Sequence, residues 1–468
     1  MNTLSDEVLA HLKSHHERIL AELVDFASIA SVSTDPAHAA DMRTAAKWIA
    51  DKLSAAGPIA VRTIETPGNP IVYGEWLGAP GNITVLVYGH YDVQPPDPLE
   101  KWISAPFTPT VRDGKLYARG VSDDKGPMLI PINVAEAFFA TTSALPINVK
   151  FMFEGEEEIG SPSLDEFIRT HQDLLAADVV LSADGAMWRI NEPSLTVASR
   201  GLTGLEFTLT AAGKDLHSGR HGGSVANPLH AMAQLIASLH DENGRVAVNG
   251  FYDNVAELTA AERADIAALP FDESAYLTQI GAPSAFGEAG YTTLERQWTR
   301  PTVEVNGLWG GYEGPGHKTV IPGEAHAKIT CRLVPHQDPG AIVALVSQHL
   351  ERHQPVGTRL TINADKHGSR AAHIDTNHFA LKAANDALFA VYGVRPLIVR
   401  MGGTVPISEL FQTHMQLSTV FFSFSTADED YHAPNEFFRV HRLHEGLEAW
   451  AHYWQLLGTQ TMTSATTP

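Results

Sequence analysis

The segment VYGHYDVQP (87–95) closes an aliphatic run, NITVL, that has the composition of a buried strand. Side chains of an extended chain alternate faces, so His90 and Asp92 point the same way, with Cα atoms roughly 7 Å apart. A carboxylate beside an imidazole orients a metal ligand or assists a general base. A turn is the competing reading, because Pro95-Pro96 follows and Asp is common before turns. Four further clusters bear on the choice. GVSDDKGP places Asp123 and Asp124 in a glycine-flanked loop, and FEGEEEIGS puts Glu154, Glu156, Glu157 and Glu158 after a strand-like run. SADGAM carries Asp184, and DEDYHAPNE carries His432. Each alone reads as a solvated loop; together they supply imidazoles and carboxylates without a thiol.

That donor set suits zinc, manganese or cobalt. A two-metal site wants a shared carboxylate between ions about 3.5–4 Å apart, and five ligands with one bridging give each ion three protein donors. A water on such ions ionises near pH ~7, and a glutamate that is not a ligand can take its proton and pass it to a leaving amine. Adjacent glutamates at a strand end offer that division of labour. Calcium loops fail as an explanation because calcium prefers oxygen donors, and His90 and His432 are nitrogen donors.

The elements that must position these groups follow from periodicity. Apolar residues at three- and four-residue spacing predict helices over 4–29, 41–56, 127–140, 225–240, 338–353, 376–392 and 440–457. Strand-like runs fall at 83–89, 148–155, 178–184, 195–199, 204–211, 325–334, 359–364 and 417–424. Strands alternating with helices imply an α/β fold with a mixed, mostly parallel sheet sandwiched by helices. Ligands gather at the carboxyl ends of such strands, where His90, Glu154 to Glu158 and Asp184 fall. Residues 1–200 and 367–468 form this domain in two parts, with a disordered tail at 459–468. Residues 201–366 form an inserted α+β domain that includes a long Gly-, Pro- and aromatic-rich insertion (241–318).

Composition sets limits. The chain has 468 residues, 44% of them hydrophobic, and a formal charge of −21, which argues against nucleic-acid or anionic-membrane partners. Cys331 is the only cysteine, so intrachain disulfides and thiolate-ligated structural zinc are excluded. The N-terminus lacks the apolar core of a signal peptide, and no run is long enough to span a bilayer. The expectation is a soluble cytoplasmic protein.

The motifs GHYDVQP, GVSDDKGP, EGEEEIGSP, DLHSGRHGGSVANP, KTVIP and RLVP occur in that order. Together they resemble the co-catalytic metallopeptidase family of carnosinase, cytosolic non-specific dipeptidase, aminoacylase and carboxypeptidase G, over residues 15–455, and most of all its carnosinase/non-specific dipeptidase branch. The resemblance implies a zinc-exopeptidase-like catalytic fold with a ferredoxin-like lid and dimerisation domain. It implies that His90 and Asp184 bind one ion and Glu158 and His432 the other, that Asp123 bridges them through an unusual cis link to Asp124, and that Asp92 orients the His90 ring. Glu157 is then the general base acting on a hydroxide shared by two divalent ions, zinc first, with manganese or cobalt as alternatives. In a homodimer, His217 reaches the partner's site to stabilise the oxyanion, and Arg332, Thr319 and the Gly402-Gly403-Thr404 loop bind the free carboxylate of a small peptide. Two departures from relatives bear on side-chain preference: Met401 replaces an acidic residue before GGTVP, and segment 367–378 lacks an aromatic.

The implied activity is a metal-dependent dipeptidase. An N-acyl-amino-acid amidohydrolase uses the same core and stays open as an alternative. A non-catalytic binding protein on this fold is disfavoured, because every ligand and Glu157 are present.

Overall fold

The computed structural model describes residues 5–364 and 368–460. Leu4, residue 367 and tail residues 461–468, which carried expectations above, lie outside the described residues. The chain divides into two compact units. The first comprises Met1–Val197, Ile374–Val399 and Leu410–Pro468; the second comprises Ala198–His373 and Arg400–Glu409.

The first unit is built on a six-stranded sheet. Its order is Ala60–Ile64, Ile71–Trp76, Asn148–Glu154, Thr84–His90, Val179–Ser182 and Thr419–Phe421. The last four run parallel, and the first two add an antiparallel edge. Strand Asn148–Glu154 is buried along its whole length, as parallel strands covered on both faces must be. The register sets His90 opposite Glu154, so the carboxyl ends of neighbouring strands deliver both motifs to one edge. Helix Gly126–Thr142 is buried around nearly its full circumference, Pro131 included. It shares one apolar core with the N-terminal helices and with helix Val440–Gly458, whose Trp450, Tyr453 and Trp454 are fully buried.

Helix Gly126–Thr142 is preceded by a tight turn, Val121–Lys125, in which Asp123 leaves helical geometry (φ −128°, ψ 93°) and the Asp123–Asp124 peptide is cis. Lys125 anchors this turn: its buried Nζ donates to the carbonyls of Ile29 at 2.7 Å and Phe26 at 3.3 Å. Those carbonyls end helix His16–Ala27, where a cation is favoured.

The second unit runs strand, helix, strand, strand, helix, strand. Its antiparallel sheet has the order Thr302–Trp309, Glu324–Leu333, Gly201–Thr210, Arg359–Ala364, the ferredoxin-like arrangement. Helices Pro228–Ala237 and Pro339–Arg352 contribute to its own core. Strand Glu324–Leu333 alternates buried and exposed positions, as a sheet with one solvated face requires.

Several elements differ from expectation. The first predicted helix is two, Asp6–Ser14 and His16–Ala27, broken at His15 (φ −108°, ψ 10°). Strands Ala60–Ile64, Ile71–Trp76 and Thr302–Trp309 and helix Pro406–Met415 were not read from the pattern. Thr302–Trp309 is mostly exposed and carries a bulge between Val305 and Gly307, which erases the period-two signal. Residues 400–409 group with the second unit because Met401 N–H donates to the Ala198 carbonyl at 2.8 Å and Arg200 N–H to the Gly403 carbonyl at 2.9 Å. Among the described residues no helix is long and apolar enough to cross a membrane.

The helical layer contains an acid-sensitive contact. His16 and His444 stack with ring centroids 3.6 Å apart. Burial first, then repulsion from His16 and His441, lowers His444 to about 4 from its ordinary 6.5. The unfolded chain therefore takes up this proton first as pH falls, so the contribution is whole above about pH 6.5 and is lost progressively toward pH 4. His444→Gln should shrink the stability loss between neutral and acid pH by about 1 kcal/mol, after discounting half-exposed rings for solvent screening. Urea unfolding of chelator-treated protein across that range is the measurement.

Candidate metal centre and substrate-binding groups

His90 ends its strand fully buried, and Gly89 before it leaves no room for a side chain: a Cβ there would lie 2.7 Å from Asp124 Oδ2. That oxygen accepts the His90 backbone N–H at 3.2 Å, which fixes the end of the strand. The imidazole Nδ1 lies 3.1 Å from the Asp92 carbonyl oxygen and 3.4 Å from its carboxylate. Both are acceptors, so Nδ1 carries a proton, and Nε2 is the nitrogen whose lone pair a bound cation would take in place of a proton. Nε2 points at Asp123 Oδ1, 2.9 Å away.

Asp123 Oδ2 in turn lies 2.9 Å from His432 Nε2, which is 3.1 Å from Glu158 Oε2. Two triads result, His90–Asp123–Asp184 and Asp123–Glu158–His432, each with ligand atoms within 4.8 Å of one another and sharing Asp123. All five predicted ligands thus meet, at the ends of three parallel strands, in the turn before a helix and in a C-terminal loop.

The Asp92 carboxylate has a wider part than orienting a ring. Its oxygens accept the backbone N–H groups of Glu157 at 3.2 Å and Glu158 at 3.0 Å. The Glu157–Ile159 turn is thereby fixed while both glutamate side chains stay available. The other glutamates of the motif are structural. Glu154 accepts from Tyr88 Oη and Ser161 Oγ, and Glu156 from the N–H groups of Asn69 and Ser163.

Electrostatics test whether cations fit. Burial is the largest influence on Glu157 and holds its carboxyl well above the usual range, with repulsion from Asp184, Asp123 and Glu158 adding to it. Burial likewise raises Asp184 to about 6, aided by Asp123 and Glu158. Burial would raise Asp123 too, but hydrogen bonds from His432 and His90 outweigh it and hold the acid low. His432 is pushed up to about 10, first by Asp123 and then by Glu158. Behind the cluster, Asp124 Oδ1 is buried with no hydrogen-bond partner. Two imidazoles cannot balance so many carboxylates, and the nitrogen and oxygen donor set fits divalent transition ions.

The remaining predicted residues belong to the second unit. Arg332 Nη1 donates to Thr404 Oγ1 at 3.0 Å, and Gly403 stands beside Thr404 in the loop held by Arg200. His217 is exposed; it pairs with Val320 in a short antiparallel ladder next to Thr319, and its Nδ1 accepts the Gly219 N–H at 3.0 Å.

Three contributors escape a motif search. Gln94 Nε2 donates to Glu158 Oε2 at 2.9 Å. Arg200 Nε donates to the Gly402 carbonyl at 2.9 Å. Glu436 accepts the Asp123 N–H at 3.2 Å. Gln94 lies within the His90 motif and could have been found by its spacing; Arg200 and Glu436 act through the main chain and left no such signal.

Paired three-residue clusters sharing one carboxylate, at the carboxyl ends of a mostly parallel sheet, are the arrangement that a dinuclear metal-dependent hydrolase needs. The chain belongs to peptidase family M20/M25/M40, whose model matches residues 86–456. It is 32% identical to the Beta-Ala-His dipeptidase of Homo sapiens over 83% of this chain and 77% of that protein. It is 30% identical to the Cys-Gly metallodipeptidase DUG1 of Saccharomyces cerevisiae over 96% of this chain and 97% of that one. Among solved structures, an M20 family metallo-carboxypeptidase from Sulfolobus solfataricus is 31% identical with a TM-score of 0.80, covering 94% of this chain and 99% of its own.

A carboxylate shared between two ions would make the two sites unequal to mutation. Asp184→Asn should leave about one tightly held equivalent of zinc, and Asp123→Asn should lose both. Elemental analysis after chelation, reloading and gel filtration gives the stoichiometry.

Proposed function

We propose that this chain is a dipeptidase that hydrolyses the peptide bond of small peptides with a free C-terminal carboxylate and uses two zinc ions. The observation that carries the reading is the pair of ligand triads sharing Asp123, with the Glu157–Glu158 backbone pinned beside them by Asp92, in a chain 30% identical to a metallodipeptidase across nearly its full length.

His90, Asp123 and Asp184 would hold one ion, and Asp123, Glu158 and His432 the other. When bound, such ions supply Lewis acidity that polarises the scissile carbonyl and lowers the pKa of water. Glu157 accepts the proton of the attacking water and delivers it to the leaving nitrogen, a general-base role in a site where burial holds its carboxyl above the usual range. Asp92 keeps Glu157 in register and keeps the His90 proton on Nδ1. Arg332, Thr404 and the Gly403 main chain take the substrate carboxylate, and Thr319, which sits beside His217 with its carbonyl accepting the Ser218 N–H at 3.0 Å, would add to them from the His217 side. A guanidinium suits a planar carboxylate. His217 is exposed, as a residue must be to serve the site of the partner in a homodimer, where it would stabilise the oxyanion.

Glu157→Gln should lower kcat for Ala-Ala by roughly 10²- to 10⁴-fold while retaining the wild-type metal content. N-acetyl-alanine, which lacks the free amine, should be the poorer substrate of the wild type; equal turnover of the two would favour the amidohydrolase reading.

The trans role has its own signature. Mixed after co-refolding, His217→Ala and Glu157→Gln should regain about a quarter of wild-type turnover, because half the dimers are mixed and each has one whole site. Activity that stays at the level of the separate variants would place His217 outside the partner's chemistry.

A further inference from the structure

His432 is the one imidazole of the metal cluster that rides on an irregular loop. Its side chain is 51% exposed, and Asp430, His432 and Asn435 all take left-handed backbone conformations, with φ of 52°, 63° and 68°. Three residues other than glycine in that region within six positions need an external constraint to persist. The constraint lies on either side of His432. Glu429 and Glu436 are both fully buried, and both reach the turn that carries Asp123.

Glu436 makes the larger set of contacts. Its Oε2 accepts from the Gly120 N–H at 2.8 Å and from Arg119 Nη1 at 2.7 Å, and its Oε1 from the Ser122 N–H at 2.9 Å and the Asp123 N–H at 3.2 Å. Glu429 Oε2 accepts from Ser122 Oγ at 2.7 Å, while its Oε1 takes Arg439 Nη1 at 3.0 Å. One buried carboxylate thus gathers three main-chain donors of the Asp123 turn and ties them to a point four residues past His432.

We propose that Glu436 is a positioning residue that sets the spacing between Asp123 and His432, and with it the affinity of the ion held by Asp123, Glu158 and His432. The proposal rests on the two-ion reading above. Its asymmetry follows from the anchors: His90 is held independently, by its strand register and by Asp124, whereas His432 has no regular element beneath it. Releasing Glu436 therefore loosens one site and largely spares the other.

The test is a zinc titration of the chelator-stripped full chain against a competing chromophoric chelator, with thermal unfolding of the metal-free protein in parallel. Wild type should bind two equivalents. Glu436→Gln should bind one equivalent as wild type does and the second about 10- to 100-fold more weakly, the range seen when partners beyond the ligands are removed. Leu12→Ala, a core truncation in helix Asp6–Ser14, should lower thermal stability yet leave both affinities unchanged. If Glu436→Gln does not fold, Ser122→Ala removes the hydroxyl bridge to Glu429 between the same two loops and should also weaken only the second ion. Unchanged affinities in a folded Glu436→Gln, equal loss at both sites, or the same selective loss in Leu12→Ala overturns the proposal. A wild type that does not take up two ions overturns instead the reading on which it rests.

Discussion

The arrangement depends on mutual repulsion among carboxylates that share a small buried volume. Two unpaired carboxylates about 4 Å apart repel by about 4 kcal/mol at the effective dielectric of a protein site. Several such pairs would consume much of the ~5–15 kcal/mol by which a domain is stable. His90 and His432, both protonation-prone through Asp123, relieve part of this, and the rise of Asp184 to about 6 shows that they do not relieve all of it. The fold can hold the groups together only because their backbones are fixed by parallel strands and a buried helix that have nowhere else to go. The same rigidity that crowds these like charges would favour cations that need no rearrangement of the ligands.

A common device holds these backbones. Buried carboxylates that are not themselves in the ligand triads accept main-chain N–H groups of the ligand segments: Asp124 from His90, Asp92 from Glu157 and Glu158, and Glu436 from Gly120, Ser122 and Asp123. Charge-assisted bonds of this kind are shorter and stronger than neutral ones. They fix the chain without occupying the side-chain atoms that face the site.

Much of this was legible in the sequence because His90, Asp123, Glu158, Asp184 and His432 are side chains acting in their own right, at strand ends or in short glycine-rich loops. The parallel strands were legible as continuous aliphatic runs, and strand Glu324–Leu333 as a clean alternation. What stayed hidden lacked a side-chain period. Strand Thr302–Trp309 is exposed and bulged, and strands Ala60–Ile64 and Ile71–Trp76, the antiparallel end of the sheet, sit among Gly and Pro. Glu436 and Arg200 were hidden for a different reason: most of their partners are main-chain atoms, which every residue supplies, so no pattern of residue types points to them. Of the acidic run 154–158, composition could not say which glutamates face the cluster; the strand register and the Asp92 bonds decide it.

The second unit carries the opposite imbalance. Arg200 is lowered to about 10, by burial first and then by the nearby Arg332. Arg200 spends Nε on the Gly402 carbonyl, and Arg332 spends Nη1 on the Thr404 hydroxyl. Both are neutral partners, and the Glu304 carboxylate near Arg200 offsets only part of the repulsion between the two guanidiniums. A planar carboxylate accepts two parallel N–H bonds from one such group and would remove the repulsion between them. A neutral amide in its place would leave that repulsion standing, so discrimination between a free carboxylate and a blocked one would follow from it under the proposed reading. The acidic cluster of the first unit therefore lacks positive charge, and the Arg200–Arg332 pair of the second lacks part of its negative charge. That supports a reading in which metal and substrate carboxylate are recognised by separate parts of the chain through the same physical means.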